Sequence, residues 1–411
     1  MYYAARSSTL YIHAPAYRVP VVVFGTIASH PRVSASSQGF ILKTNEGARL
    51  SVTISPFEKL FYGDSLTLSG SVEPLSSTTN YLKKDRVVGV LAFPSIEKHT
   101  AAGWSMRGTL YGISDALCAV YARIFPPDEA ALAAGIVLGQ QNASFSTAFK
   151  AAMRNSGTTH IVALSGYNIM IVIGAVSFAL SFLFRRHGQF WGSCAIVLLF
   201  VLMTGAESSV VRAALMGILV LVAQYTSRLY DFWHSAAIVA FLMVAWNPFA
   251  LIFDVGFVLS FVSLFGIVVL APRLAALVRI TNPVLAGIGT IVAQTLGAQI
   301  AVLPILIATF GGFSWASALA NIPILLIMPV SMALVFAAGC FGLAWLPAAS
   351  LLAIIPHGLL WAQTRTILVF GSLPLQEAPF SWWAIAFYYG LIFIMLRALP
   401  IRARELKIDY V

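Results

Sequence analysis

Read for its alternation of apolar and polar positions, the chain changes character near residue 110. Before that point, residues 18–29 (RVPVVVFGTIAS), 48–55 (ARLSVTIS), 64–73 (DSLTLSGSVE) and 86–94 (RVVGVLAFP) are short runs rich in Val, Ile, Thr and Leu. Gly, Ser, Pro, Asn and Asp lie between them, a pattern of strands and turns. Four or five such strands within about 90 residues predict a small all-β barrel. From 111 to 154 the period becomes helical, with Leu117, Val120, Tyr121 and Ile124 on one face. Pro126 and Pro127 stop this helix, and Asp128 and Glu129 open a second one. These segments are too polar to span a bilayer and too apolar to float free, so 114–156 are expected to lie in the membrane interface.

Beyond residue 157 the polar face disappears. Apolar runs occupy 160–184, 190–205, 208–226, 232–246, 255–271, 285–310, 322–345, 349–370 and 382–396. At 1.5 Å per helical residue most of these are long enough to cross hydrocarbon. Composition agrees, since 59% of residues are hydrophobic and only 10% charged. A soluble domain carries about a quarter charged residues, so this chain cannot clothe a water-facing surface. The expected fold class is a polytopic α-helical membrane bundle of about nine spans preceded by a small all-β, OB-like barrel. Its expected parts are an irregular 1–17, the barrel at 18–113, interfacial helices at 114–156, the transmembrane domain at 157–397 and a tail at 398–411.

Charge orients the bundle. Arg185 with Arg186, Arg228, Arg273 with Arg279, and the tail residues Arg397, Arg402, Arg404 and Lys407 fall on alternate junctions. The intervening junctions 206–207, 247–249, 311–314 and 372–380 hold no Lys or Arg. Positive loops stay in the cytoplasm, which predicts an odd number of spans across the cell inner membrane, a cytoplasmic C-terminus and an external barrel. Residues 1–17 contain no basic n-region followed by an apolar stretch, so the natural frame is expected to start upstream of Met1. Of the net charge of +10, residues 1–113 contribute eleven Lys/Arg against six Asp/Glu. Such a balance suits an anionic partner, nucleic acid or membrane lipid. If the partner is single-stranded nucleic acid, exposed aromatics among Phe57, Phe61, Tyr62 and Tyr81 are the expected contacts. Cys118, Cys194 and Cys340 are isolated and predict neither a disulfide framework nor a metal site. No cofactor is implied.

Polar residues inside the apolar runs are the candidates for function, because each is costly in hydrocarbon. The first cluster is Gly157-Thr158-Thr159-His160 through Ser165-Gly166-Tyr167-Asn168, in which His160, Ser165 and Asn168 recur at helical spacings. It reads as the lining of a pathway or as a packing seam. The spacing argues against a serine hydrolase, since Ser165 lacks the glycines and the preceding strand of a nucleophile elbow. The second cluster, Thr204 to Ala213, places Ser208 or Ser209 as a helix cap with Arg212 one turn further, an arrangement suited to a phosphate. Snorkelling of Arg212, or its pairing with Glu207, is the plainer alternative. Asp254 is a helix cap or a partner for Arg212. Gln294, Gln299 and Pro304, then Asn321, Pro323 and Pro329, suggest broken helices with amides at depth.

In this order and spacing, these motifs resemble the competence domain of the ComEC family. The matching residues are Gly157, Thr159-His160, Ala163-Leu164-Ser165-Gly166, then Gly205, Ser209 and Arg212-Ala213. Further on come Asn247-Pro248, Gly256-Phe257, Leu259-Ser260-Phe261, Gln299, Pro304, Phe310, Phe313-Ser314 and Asn321-Ile322-Pro323. Tyr62-Gly63-Asp64, Leu68 and Gly70 resemble the family's external OB-like domain. The resemblance covers residues 20–395. It implies an inner-membrane channel importing single-stranded DNA during natural transformation, a DNA receptor protein outside, a cytoplasmic translocase, and no catalysis by this chain. Two features depart from the family. Asn168 stands where many members carry His, and no H-x-H-x-D-H cluster of a metallo-β-lactamase-like nuclease is present. The alternatives are a transporter or exporter of another substrate on the same scaffold, and an intramembrane enzyme.

Overall fold

The structure is a computed structural model that describes residues 17–34, 36–76, 79–139, 143–164, 166–277, 282–377 and 381–398. Seven strands build the N-terminal domain: β1 (Pro20–Ile27), β2 (Arg32–Val33), β3 (Gln38–Thr44), β4 (Arg49–Ile54), β5 (Ser65–Pro74), β6 (Val87–Ala92) and β7 (Ser95–Thr100). Pairing runs β1-β3-β4-β6-β5 and returns from β5 to β1, so five strands close a barrel with β2 and β7 on its margins. β4 and β6 pair in parallel, whereas the other pairs are antiparallel. This is an OB-like barrel. Side-chain alternation closes it: Leu50, Val52 and Ile54 of β4 point inward against Leu42, Leu68 and Leu91.

One carboxylate organises the barrel's exit. Gly63, at φ +91°, turns the chain into Asp64. Asp64 is buried and accepts from the amides of Phe61 (2.9 Å) and Ala102 (2.8 Å), with His99 Nε2 at 2.9 Å. Burial by itself would raise the Asp64 carboxyl, but these donors outweigh it and hold the group below the ordinary carboxylate range. The loop before β5 and the segment after β7 are thereby tied together.

The helices are α1 (Met106–Ile124), α2 (Pro127–Leu138), α3 (Thr147–Asn155), α4 (Gly166–Leu183), α5 (Arg186–Met203), α6 (Ser208–Thr226) and α7 (Phe232–Trp246). They continue with the single turn α8 (Ala250–Phe253), α9 (Val255–Phe265), α10 (Ala271–Ala276), α11 (Pro283–Phe310), α12 (Ala316–Ala344), α13 (Leu346–Leu352), α14 (Ile354–Gly371) and α15 (Trp382–Ala398). Among the described residues five helices are long and apolar enough to cross a membrane: α5, α6, the joined Val255–Ala276, α11 and α12. α13 and α14, bent by 56°, make a sixth if taken as one span. The remaining apolar helices, α4, α7 and α15, are shorter, so the nine expected spans are not reached by length.

α11 and α12 run unbroken through Pro304, Pro323 and Pro329, where the sequence suggested interruptions. Pro304 has no N–H to give the Ile300 carbonyl one turn back. The Tyr388 hydroxyl of α15 donates to that carbonyl instead (2.9 Å), and Tyr389 donates to Ala301 (3.0 Å).

Every residue of α2 from Glu129 to Leu138 is buried, because Ala, Gly and aliphatic side chains leave it no polar face for water. α1 starts beside the barrel and packs Tyr121 on Gly339 and Val120 on Gly342, where a Cβ would collide with each. Pro127 opens the return, and Gly139 at its end meets Leu164. α1 and α2 therefore form a buried hairpin whose tip holds Glu129 against His357 Nδ1 of α14 at 2.6 Å.

Candidate functional site

The two ends of the bundle differ. At one end Arg186 donates to the last carbonyls of α6, Gln224 (2.7 Å) and Tyr225 (2.9 Å), and to Ser227, so two arginine-bearing junctions meet. A cation there also suits the negative end of the helix dipole. At the opposite end lie the starts of α6, α9 and α12 and the barrel. The short strands β8 (Gly312–Phe313) and β9 (Gln376–Glu377) pair there and join two junctions that lack Lys and Arg.

Arg212 sits one turn into α6 and is buried at 7% exposure. Its guanidinium stands 5.6 Å from the Phe261 ring centroid, Nη1 is 3.9 Å from Met216 Sδ, and a Cβ on Gly166 would lie 3.3 Å from Nη2. Its Nε has no hydrogen-bond partner, and no carboxylate reaches ion-pair distance of the side chain among the described residues. Neither plainer alternative from the sequence, snorkelling or pairing with Glu207, fits this burial and these contacts. Desolvating a cation without a counter-ion is expensive, more so in hydrocarbon.

Asp254 is not its partner. Asp254 caps α9 by accepting from the Phe257 amide (3.3 Å), takes a hydrogen bond from the Ser208 hydroxyl, and has Lys84 Nζ at 4.0 Å. Ser208 therefore ties two helix starts together and does not cap its own helix, for which Glu207 occupies the capping position with no side-chain hydrogen bond to the helix's first amides. Ser209 lies half-buried in the first turn. Lys84 belongs to a 3-10 helix of the barrel, Asn80–Asp85. That helix docks here, with Asn247 Nδ2 donating to Lys84 O (2.8 Å), Arg86 to Trp246 O (3.3 Å), and Lys83 5.2 Å from the Phe253 centroid.

A second polar node centres on Ser317 of α12, a residue the motif reading passed over although it lies one helical turn before Asn321. Gln299 Nε2 (2.9 Å) and Asn321 Nδ2 (3.2 Å) donate to Ser317 Oγ, which donates to Gly157 O at 3.4 Å. Gly157 has φ +68°, and a Cβ there would meet Ser317 at 2.6 Å. Asn321 is 1% exposed and its Oδ1 has no partner. His160 is exposed and its Nδ1 lies 3.1 Å from Gly157 O. The chain from Gly157 to Gly166 thus runs between the Ser317 node and Arg212.

That chain is not one helix. A 3-10 turn covers Thr159–Ile161, and α4 starts only at Gly166. The helical face expected to join His160 to Asn168 therefore does not form. Asn168 is buried and donates to Ile136 O at the end of α2 (3.3 Å), while Ser165 lies outside the described residues. Gln299, Asn321 and His160 come together around Gly157, whereas Arg212 and Asp254 stand on neighbouring helices facing different partners.

A family profile described as Competence protein matches residues 136–401, more than half of the chain. Over 196 residues the chain is 26% identical to ComE operon protein 3 of Bacillus subtilis (strain 168). That match covers 46% of this chain and 24% of the relative, so the chain spans only part of the relative's length. No solved structure matches.

Proposed function

The chain belongs to the competence protein family, and on that premise we propose that it forms an inner-membrane conduit through which one strand of DNA enters the cell during natural transformation. The observation that carries the reading is Arg212, a guanidinium held at a helix start with a buried donor and, among the described residues, no counter-ion. A passing phosphate offers what the side chain lacks, a negative charge and acceptor oxygens, and the helix N-terminus adds to the attraction. Gly166 leaves the space beside Nη2 without a side chain. The Gln299, Ser317 and Asn321 cluster gives a neutral second stop, suited to sugar or base edges. We assign the pathway to His160, Ser165, Ser209, Arg212, Gln299 and Asn321, with Asp254 and Asn168 holding its walls. The chain acts as a transport scaffold and works with a DNA receptor outside and a translocase in the cytoplasm.

The barrel faces outward in this reading. Support comes from its docking beside the junctions that lack Lys and Arg, at the end remote from Arg186 and Arg228.

Transformation frequency, measured beside membrane protein level, tests the assignment. Arg212→Ala should lose most transformation and Arg212→Lys, which keeps the charge but not the fork, should retain part of it. His160→Ala and Ser165→Leu should block uptake at normal abundance. Near-normal transformation by Arg212→Ala overturns the conduit, and parallel loss of protein makes the residue structural.

A further inference from the structure

The loop between β4 and β5 carries two rings that the barrel's core does not use, Phe57 at 91% and Phe61 at 64% exposure. Trp104, on the segment leading from β7 into α1, is 87% exposed, and Met106 in the first turn of α1 is half exposed. These side chains gather beside α1. Phe57, Lys59 and Phe61 share a concavity of about 370 Å³ with Gly108, Gly112 and Asp115 of α1. Asp64 accepts from the amides of both Phe61 and Ala102, so one carboxylate fixes the loop next to the segment that bears Trp104. Tyr62 turns inward instead, edge-on to Tyr111 with centroids 5.4 Å apart. A ring left in water gains nothing from the core, and exposed apolar groups collected at one place mark a contact with an apolar neighbour.

α1 fixes the depth of this patch. Met106 precedes Tyr121 by 15 residues, a rise of about 22 Å along the helix. Gly339, on which Tyr121 packs, lies five residues before the end of α12, about 8 Å more. Met106 therefore stands no more than about 30 Å from the far end of α12, one hydrocarbon thickness. α12 itself has 29 residues, about 43 Å, and its start rises beyond this level. The concavity reaches Gly112 and Asp115, more than a turn further toward the far end, so Phe57 and Phe61 stand at the bilayer boundary and not above it. Lys59 and Arg107 are exposed beside the rings, and Arg107 is close enough to Tyr111 to act electrostatically on its hydroxyl. Rings among the headgroups and cations on the phosphates are the usual means of holding a phospholipid surface. We propose that Phe57, Phe61, Trp104 and Met106 enter the lipid leaflet on the barrel's side, while Lys59 and Arg107 meet its phosphates. The barrel is then held at two points, by lipid here and by Lys84 beside Asp254 at the start of α9. The proposal does not depend on what passes through the bundle.

The test uses the full chain in vesicles of phosphatidylcholine and phosphatidylglycerol. Cys118, Cys194 and Cys340 are replaced by alanine, and an environment-sensitive dye is attached to the Phe57→Cys or the Trp104→Cys variant. A nitroxide on the lipid acyl chain should quench both dyes, most strongly at about 5–10 Å below the phosphates. Aqueous iodide should quench them several-fold less than it quenches the free dye. A larger share of phosphatidylglycerol should deepen the lipid quench, and Lys59→Gln with Arg107→Gln should abolish that gain. In the unaltered chain, a lipid with a photoreactive acyl chain should label 56–62 and 103–107, a result that needs no variant to fold. Iodide quenching equal to that of the free dye at both positions overturns the anchor, as does labelling of neither segment. So does shielding that requires an added oligonucleotide, which would give the rings to nucleic acid, or shielding that grows with the ratio of protein to lipid, which would give them to a second copy. A gain that survives in the double glutamine variant overturns the phosphate contacts.

Discussion

Asp64 and Arg212 are both buried charges, and the protein treats them in opposite ways. Asp64 has every nearby donor it needs, so its charge is worth keeping and its pKa falls. Such a group contributes stability that is fully present above the ordinary carboxylate value of about 4 and is lost as pH falls through the lower folded value. Asp64→Asn keeps an acceptor but loses the charge, and we expect it to destabilise the barrel by about 1.5–3 kcal/mol at neutral pH. Amide hydrogen exchange in β1 and β5 reads this, and the variant's deficit should shrink as the medium is acidified. A deficit that stays constant down to pH 2 would remove the charge from the account. Arg212, in contrast, keeps a buried donor that nothing meets among the described residues, and the proposed role gives that donor a phosphate.

Helices that pass through proline need their freed carbonyls answered from elsewhere, and α11 obtains the answer from α15. Tyr388→Phe should therefore cost on the order of 1 kcal/mol, and Tyr389→Phe less, since Ala301 O keeps its usual place in the helical ladder. Restoring the missing N–H with Pro304→Ala should remove most of the Tyr388→Phe penalty, a double-mutant cycle readable by thermal unfolding in micelles. A Tyr388→Phe cost unchanged in the Pro304→Ala background would refute the compensation. At this scale the sequence was informative wherever one periodicity ruled. The four strand runs coincide with β1, β4, β5 and β6, and the face of Leu117, Val120 and Tyr121 is the buried face of α1. β3 hides its alternation behind the unbroken Phe40-Ile41-Leu42, and β7 (SIEKHT) is too polar to stand out. Proline at 304 reads as a break, because the sequence alone does not show the Tyr388 hydroxyl that another helix brings to the freed carbonyl. The candidate site residues were legible as types but not as a geometry: the helical spacing of His160 and Asn168 fails at the 3-10 turn, and Ser317 gains its contacts only from Gly157 and Gln299 across the bundle.

Among the described residues, barrel and bundle meet where the 3-10 helix reaches Asn247 and Asp254 and where His30 and Tyr62 reach α1. With Cys118, Cys194 and Cys340 replaced by alanine, cysteines at Ser76 and Ser372 should react with an impermeant reagent in intact cells, and one at Arg404 should not. Reaction at Arg404 alone would invert the topology. The buried α1–α2 hairpin has a consequence for how the protein is made. Glu129 finds His357 across 228 residues of chain, and Tyr121 needs Gly339, so the hairpin's seat does not exist when the hairpin leaves the ribosome. At about 5–20 residues per second it waits on the order of ten seconds or more for its partners. An all-apolar hairpin would be inserted as a span during that interval, and a fully polar one would never be buried afterwards. The hairpin therefore reaches its buried place only after α12 and α14 have been made, and its seat is completed last.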